Sequence, residues 1–219
     1  MRKIIAGAFA SLDGVMQAPG GPEEDTSGGF AHGGWTVPYW DDATAAFMEE
    51  GFRTPYALLL GRRTYDIFAA YWPKYEAEAA QADAQEGDLD IARQFNRATK
   101  YVATHHPHTL DWQHSQWLGE DVVAALRELK QQDGPRLLVQ GSSVLLQVLF
   151  AADLVDELRL LVYPLVLGKG KRLFGTDTLP AAFKLLESST SPSGVLLAHY
   201  ARAGEVETGS FDTAGAEGG

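Results

Sequence analysis

The sequence contains no cysteine. The protein therefore cannot contain disulfide bonds, thiolate nucleophiles, iron–sulfur clusters held by cysteine or cysteine-based zinc sites. Three of the six histidines fall within four residues, at His105, His106 and His108. Pro107 interrupts the helical spacing that a histidine metal site on a helix would use, so we expect no metal site there. The fold must be held together by packing.

Long apolar runs are also absent, since no stretch reaches the roughly eighteen residues of a membrane span. The first ten residues have an apolar core that is too short for a secretory signal, and they continue directly into Ser11–Gly14. The sequence thus predicts a cytoplasmic protein that does not enter a membrane.

Basic residues are few: 18 lysines and arginines stand against 29 aspartates and glutamates, which gives a net charge of −11. Proteins that bind nucleic acid backbones normally carry a basic face, so we expect no nucleic acid partner. Residues 204–219 are acidic and glycine-rich, and we interpret them as a flexible tail after a single domain of residues 1–203. An anionic ligand would have to be held by local cations and N–H donors.

One stretch that could supply such donors is Arg136–Leu149. A short apolar run after Pro135 reads as a buried strand, Gly141 supplies a turn, and Ser142 or Ser143 can cap the helix that follows. A junction of this kind directs free backbone N–H groups toward one point and suits a phosphate or pyrophosphate. A strand-to-helix turn that only caps the helix and binds no ligand would show the same sequence pattern.

A second junction of the same kind follows the apolar run Ala57–Leu60. Gly61 ends this run, and Arg62, Arg63 and Thr64 open the next helix. Two strand-to-helix junctions, one with adjacent arginines, are what an extended anionic cofactor with a pyrophosphate and a further phosphate requires. The arginine pair, without an acidic residue that would favour a free ribose hydroxyl, predicts NADPH rather than NADH.

Four motifs in this order resemble the dihydrofolate reductase fold, and specifically the C-terminal reductase domain of RibD proteins of riboflavin synthesis and its stand-alone relatives. Besides the two junctions they are Ser11–Gly14, after the first strand, and Tyr163–Phe174, late in the chain. The resemblance covers about residues 3–202. It implies a three-layer α/β fold, in which a mixed, mostly parallel sheet has helices on both faces and ends in an antiparallel hairpin.

The order of elements along the chain fits this plan. Apolar runs predict strands over Lys3–Ala10, Lys100–Ala103 and Glu157–Val166, and apolar residues at helical spacing predict a helix over Asp121–Gln132. Residues 74–97 are polar and predict one or two helices with Ile91 and Phe95 facing inward. A turn sequence between 184–189 and 194–201 predicts the terminal hairpin.

The resemblance also implies a set of cofactor-binding residues. They come from the first strand and the turn after it, from the two junctions, and from the end of the third strand, and are Ala8, Asp13, Gly14, Gly61, Arg62, Arg63, Thr64, Thr104, His105, Gly141, Ser142, Ser143 and Val144.

For the substrate side, the resemblance implies a carboxylate on the first helix that binds the substrate ring and helps to protonate it. Asp41 or Asp42 occupies the matching place, although either residue would equally serve as a helix cap. Trp40 and Phe47 are the expected substrate contacts nearby. Lys169, or Lys171, could meet an anionic group of the substrate.

Residues 14–35 are rich in glycine and too irregular for a regular element. We interpret them as disordered or as a lid, since in the resembling family this segment closes the site against water. An idle surface insertion is the other possibility.

Together these features predict an NADPH-dependent reductase of a small heterocycle, either a RibD-like ribosylaminopyrimidine or a dihydropterin. Relatives are commonly dimers, so a homodimer is expected. Two alternatives stay open: a module that binds a nucleotide without turnover, and a structural protein whose apolar strand near Leu160 forms a dimer interface.

Overall fold

A computed structural model of the chain describes residues 1–79 and 86–211. Its strands are β1 (Ile4–Ser11), β2 (Tyr56–Gly61), β3 (Lys100–Ala103), β4 (Ser115–Trp117), β5 (Arg136–Gln140), β6 (Glu157–Tyr163), β7 (Ala182–Thr190) and β8 (Leu196–Gly204). Its α-helices are α1 (Asp42–Glu50), α2 (Arg62–Ala79), α3 (Glu86–Arg97), α4 (Val122–Gln131) and α5 (Ser143–Ala151). Short 3-10 turns occupy Ser27–Gly29, Val37–Tyr39 and Pro107–Thr109.

All eight strands form one sheet in the order β4-β3-β2-β5-β1-β6-β8-β7. The strands from β4 to β6 pair in parallel, with Ile5 opposite both Leu138 and Glu157, and β8 pairs antiparallel with β6 and β7. This arrangement confirms the predicted mostly parallel sheet with a terminal antiparallel hairpin. The crossover from β3 to β4 contains a short 3-10 turn, and the other parallel connections contain α-helices.

The three layers follow from the two faces of the central strands. Successive strand residues point to opposite faces, and runs such as Leu58-Leu59-Leu60 are apolar at every position. Leu59 joins a core with α4 and α5, whereas Leu58 and Leu60 join a second core that includes Phe95 of α3. Each face of the sheet is therefore covered by helices.

The helix boundaries confirm most of the predicted start signals. The Asp121 side chain accepts a hydrogen bond from the backbone N–H of Ala124, and α4 begins at the next residue. The helix after Gly61 is longer than its sequence suggests, because it continues through Pro73 to Ala79. In the polar segment, Ile91 and Phe95 of α3 face inward as predicted, while residues 80–85 lie outside the described part.

One prediction about the later strands needs correction. The strand from Glu157 ends at Tyr163 rather than Val166, because the N–H of Leu165 bonds back to the carbonyl of Tyr163 in a turn. Leu160 lies on β6 between β1 and β8, and it is partly buried against the core shared by α4 and α5. The predicted tail begins at Gly204, the last residue of β8, and its residues 212–219 are outside the described part.

Among the described residues, no helix combines the length and the apolar composition that crossing a bilayer would require.

Candidate active site

A cleft of about 830 Å³ opens at the carboxyl ends of β1, β2, β3 and β5. In open parallel sheets this edge is where ligands bind, because the loops that follow neighbouring strands meet there. The junction at Gly61 lies between β2 and α2, and the junction at Gly141 lies between β5 and α5. Both junctions line the cleft. The volume is in the range of small-molecule and cofactor sites.

The Ser142 hydroxyl joins the two junctions directly. It accepts a hydrogen bond of 2.9 Å from the backbone N–H of Gly61 and donates one of 2.8 Å to Oγ1 of Thr64. A Cβ atom on Gly61 would lie 3.3 Å from Ser142, a tight contact that would press the two junctions apart by a few tenths of an ångström. Two glycine turns that lie far apart in the sequence therefore share one cleft.

The hydroxyl of Ser142 is thus used across the cleft and not as the predicted helix cap. Ser142 has left-handed backbone angles, φ 65° and ψ 67°, and its side chain makes no capping hydrogen bond to α5. The first N–H groups of α5 therefore remain available to a ligand at Ser143 and Val144, which line the cleft. Gly141 also has a positive φ, 70°, and a side chain there would project into open space.

Most of the predicted cofactor-binding residues do line this cleft. The set comprises Ala8, Gly61, Arg62, Arg63, Thr64, Thr104, His105, Gly141, Ser142, Ser143 and Val144. The helices α2 and α5 both begin here, so the positive ends of two helix dipoles add to their free N–H groups. The donor set fits a pyrophosphate.

The two arginines differ in their surroundings. Arg62 forms an ion pair of 2.9 Å with Asp66 one helical turn later and also contacts Thr109. Arg63 instead bridges to the segment before α1, where it pairs with the Asp25 carboxylate at 3.2 Å and donates to the carbonyl of Glu24. Only Arg62 is held by an exposed pair of the kind that exchanges partners at little cost.

The segment 14–35 is ordered by buried polar contacts, which corrects the expectation of disorder. The amide of Gln17 donates to the carbonyls of Asp25 and Ser27 and accepts from the N–H of Lys171, and the Trp35 indole donates to the carbonyl of Gln17. Residues 16–21, 24 and 25 line the cleft, so the segment forms one of its walls.

Asp25 fixes this wall to both neighbouring parts of the molecule. Its carboxylate contacts Arg63 at the start of α2 and Lys171 at 2.6 Å. Burial by itself would raise the pKa of Asp25, but hydrogen bonds from Lys171 and Ser27 lower it to about 2. Asp25 therefore stays ionised, and its carboxylate forms ion pairs with two of the cations near the cleft.

The predicted proton donor on the first helix is not supported by the geometry. Asp41 caps α1: its carboxylate accepts from the N–H of Thr44 at 3.0 Å and from the N–H of Ser193 at 3.0 Å. These bonds hold the pKa of Asp41 well below its usual range, so it stays ionised. Neither Asp41 nor Asp42 lines the cleft, so the predicted placement of a proton donor at these two positions is corrected by the structure.

Five further predicted contacts also lie outside the cleft lining. Asp13, whose pKa is lowered to about 2 by hydrogen bonds from Ser11 and Leu167, ties the turn at Gly14 to the loop after β6. Phe47 is buried under the guanidinium of Arg159, 4.0 Å from its ring centre. Trp40 packs edge-on against Phe9, and Lys169 is exposed.

Several lining residues had no part in the predicted site. Ile67 follows Arg63 by four positions on α2 and Phe68 follows Thr64 by four, a spacing that places each of them on the same side of the helix as a residue of the predicted site. Their helical spacing was a usable signal. No sequence signal identifies Glu24 as a cleft residue, because an acidic residue in an irregular glycine-rich segment is ordinarily solvent-exposed.

The sequence matches the model of the RibD C-terminal domain over residues 2–197. The chain belongs to the RibD C-terminal domain family. A relative in Bacillus subtilis (strain 168), uncharacterized protein YyaP, is 25% identical over 199 residues, which cover 91% of this chain and 94% of that protein.

Solved structures agree on the fold of this RibD C-terminal family member. A diaminohydroxyphosphoribosylaminopyrimidine deaminase/5-amino-6-(5-phosphoribosylamino)uracil reductase from Thermotoga maritima matches with a TM-score of 0.55 and 15% identity, over 92% of this chain and 57% of that one. Dihydrofolate reductase from Enterococcus faecalis, complexed with NADP(H), matches with a TM-score of 0.50 and 14% identity, over 91% and 96%. The chain therefore has the dihydrofolate reductase-like fold that its motifs predicted.

Proposed function

We propose that this protein is an NADPH-dependent reductase of a small heterocyclic substrate. The observation that carries the proposal is the Ser142 hydroxyl, which joins the turns at Gly61 and Gly141 so that two helix N-termini open on one cleft. Membership of a reductase domain family, and a fold shared with a protein that is complexed with NADP(H), support the same assignment.

The residues at the two turns have the chemistry to hold the cofactor. The N–H groups at the starts of α2 and α5 would bind the pyrophosphate. Arg62 would bind the additional phosphate of NADPH, because its exposed pair with Asp66 can be exchanged for a phosphate with a higher charge. Thr104 and His105, which follow β3 at the same edge, would contact the adenosine end.

The bound cofactor would supply the hydride, and the protein would supply position, exclusion of water and a proton. The wall formed by residues 16–21 contributes apolar surface from Met16, Ala18 and Pro19 to the cleft. Because the aspartate that caps α1 stays ionised and lies outside the cleft, the proton must come from another group or from water.

Titration with NADPH and NADH, followed by the fluorescence of the five tryptophans, tests this proposal. We expect NADPH to bind more tightly, and Arg62→Gln to weaken NADPH binding by roughly tenfold while leaving NADH binding nearly unchanged. Arg127→Gln, on the exposed face of α4, is the matched control. Absence of binding by either cofactor would contradict the proposal.

Loss of NADPH absorbance with a supplied ribosylaminopyrimidine or dihydrofolate then tests turnover. Binding of NADPH without turnover of either compound would favour a non-catalytic nucleotide-binding module.

The protein is further proposed to act as a homodimer. Strand β7 is an edge strand with Leu185 and Leu186 about half exposed, which leaves apolar surface and unpaired backbone groups for a second copy. Sedimentation equilibrium tests this proposal, and a monomer at micromolar concentration would contradict it.

A further inference from the structure

One carboxylate of the cleft wall stands apart from the other charged groups there. Glu24 lines the cleft, and one of its oxygens accepts a hydrogen bond of 2.6 Å from the backbone N–H of Gly20. Among the described residues, its side chain forms no ion pair with a lysine, arginine or histidine, whereas its neighbour Asp25 pairs with two cations. Glu24 is therefore a cleft carboxyl without an ion pair of its own among the described residues, and the nearby Arg63 guanidinium only partly favours its ionised form.

The position of Glu24 is fixed by its backbone. Its carbonyl accepts hydrogen bonds of 3.0 and 3.3 Å from the guanidinium of Arg63, which belongs to the first turn of α2. Ile67 and Phe68, on the following turn of α2, line the same cleft. Glu24 is thus tied to the start of α2 through its backbone, and it lines the same cleft as the apolar side chains of Ile67 and Phe68.

This environment is partly withdrawn from water. Loss of solvation raises the pKa of Glu24, and the hydrogen bonds from Gly20 and Gly21 only partly oppose it. A carboxyl in such a place gains from a ligand that donates hydrogen bonds to it or carries positive charge.

The cations at this end of the cleft leave little for an anionic substrate group. Arg63 and Lys171 both contact the carboxylate of Asp25, and with Glu24 ionised these four side chains carry no net charge. A substrate phosphate that bound to the Arg63 or Lys171 side chain would have to displace Asp25 from that cation. The charge balance disfavours a phosphorylated substrate.

We propose that Glu24 is the residue that recognises the substrate, and that the substrate is a flat, unphosphorylated ring whose edge presents N–H donors, neutral or protonated. This inference rests on the proposed function and narrows it: of the two substrate types that the fold allows, a phosphoribosyl compound is the one that the cleft does not favour. The apolar side chains of Ile67, Phe68 and Pro19 would contact the ring faces.

Two small aromatic probes of the same size and opposite charge test this proposal. Benzamidine presents two parallel N–H donors and a positive charge, and benzoate presents a carboxylate. Calorimetric titration of the full chain with each probe measures its preference directly. We expect benzamidine to bind on the order of tenfold more tightly than benzoate, because a charge-assisted pair with Glu24 is available only to benzamidine.

The variant Glu24→Gln should abolish this preference. The matched control is Glu23→Gln, which removes the same charge from the adjacent exposed position outside the cleft lining and should keep the preference. Thermal melting verifies that each variant is folded, and Glu24→Asp, which retains the carboxylate, is expected to keep the sign of the preference.

Benzoate binding as tightly as benzamidine to the wild-type chain would overturn the proposal, whether or not the Gln variant folds. Failure of benzamidine to bind, or a preference that survives Glu24→Gln, would overturn it as well. The same samples are titrated with NADPH. A wild-type chain that shows the probe preference but does not bind NADPH would retain the substrate inference as a ligand preference and refute the reductase assignment alone.

Discussion

The amino ends and the carboxyl ends of the parallel strands differ in how their polar groups are paired. At the amino ends, charged side chains contact other protein groups: Glu157 pairs with Lys3 and His199, and one terminal nitrogen of Arg136 donates to the carbonyls of Gly51 and Thr54, while Nε of Arg136 has no partner among the described residues. At the carboxyl ends, the first N–H groups of α5 face a cleft. One end uses its polar groups for stability, whereas the other leaves donors for a ligand.

This difference shows how a single sheet can be stabilised at one end and can bind a ligand at the other. Buried polar groups without partners are costly, so they are tolerated only where a ligand or water can reach them. Ser142 illustrates this difference. Its hydroxyl accepts a hydrogen bond from the N–H of Gly61 and donates one to Thr64, so it makes no capping hydrogen bond to α5. Substitutions at the amino ends should change stability, and those at the carboxyl ends should also change binding.

The largest expected effect is at the amino end of β3 and depends on pH. Lys100 is fully buried over Trp112, its amine donates to the carbonyls of Asn96 and Gln113, and burial lowers its pKa from 10.5 to about 8. Between these values the unfolded chain holds a proton that the folded chain has lost. The unfolding free energy should therefore rise with pH, by up to roughly 3 kcal/mol, from pH 8 to 10.5.

Urea unfolding of the wild type and of Lys100→Met over this pH range measures the effect. The pH-dependent rise should be missing from the variant, and tyrosines that titrate nearby are present in both proteins and cancel in the difference. Parallel curves for the two proteins would show that Lys100 does not titrate as stated. Both should bind NADPH alike, because Lys100 is outside the cleft lining.

At the carboxyl end of β5, Gly141→Ala should affect both stability and binding. An L side chain at φ 70° costs about 1–2 kcal/mol of unfolding free energy, and its methyl group would take up cleft space. Gly168→Ala, at φ 73° in the loop after β6, is the control with a similar backbone cost and no place in the cleft lining. Chemical denaturation should show similar losses for both, with NADPH affinity falling only for Gly141→Ala.

Ser142→Ala removes the contact that joins the two turns. The N–H of Gly61 loses its acceptor, so we expect a loss of about 1 kcal/mol in unfolding free energy together with weaker NADPH binding. Ser143→Ala deletes a hydroxyl from the neighbouring position of the same turn and should change both quantities less. Equal effects of the two substitutions would mean that the bridge between the turns is unimportant.

The smallest effect is expected for Asp41→Ala, away from the cleft. Loss of the cap of α1 should lower the melting temperature by roughly 2–4 °C, with NADPH binding unchanged. Because hydrogen bonds depress the pKa of Asp41, its contribution is present above the ordinary carboxyl pKa of 3.8 and is lost as the pH falls further. A variant that melts normally but has no reductase turnover would restore Asp41 to the active site.

Much of the fold could be predicted from local patterns. The apolar runs before Gly61 and Gly141 fixed two central strands, and the turn between residues 190 and 196 fixed the terminal hairpin. The length of α2 could not be predicted, because Pro73 normally ends or bends a helix and only tertiary packing carries this one onward. The candidate site followed the same division: the turns were predicted, whereas for the segment that forms the wall the sequence left a lid, disorder and an idle insertion all open.

By itself, the sequence determined the two glycine turns, the helices that start from them and the family to which the chain belongs. These depend on backbone angles and apolar runs, which neighbouring residues largely decide. Only the tertiary structure decided that Asp25 holds Arg63 and Lys171, that Asp41 is a cap, and that Glu24 lines the cleft. The pairing of Asp25 with Lys171 spans 146 positions of the chain, and no local pattern specifies which distant partner a polar side chain will meet.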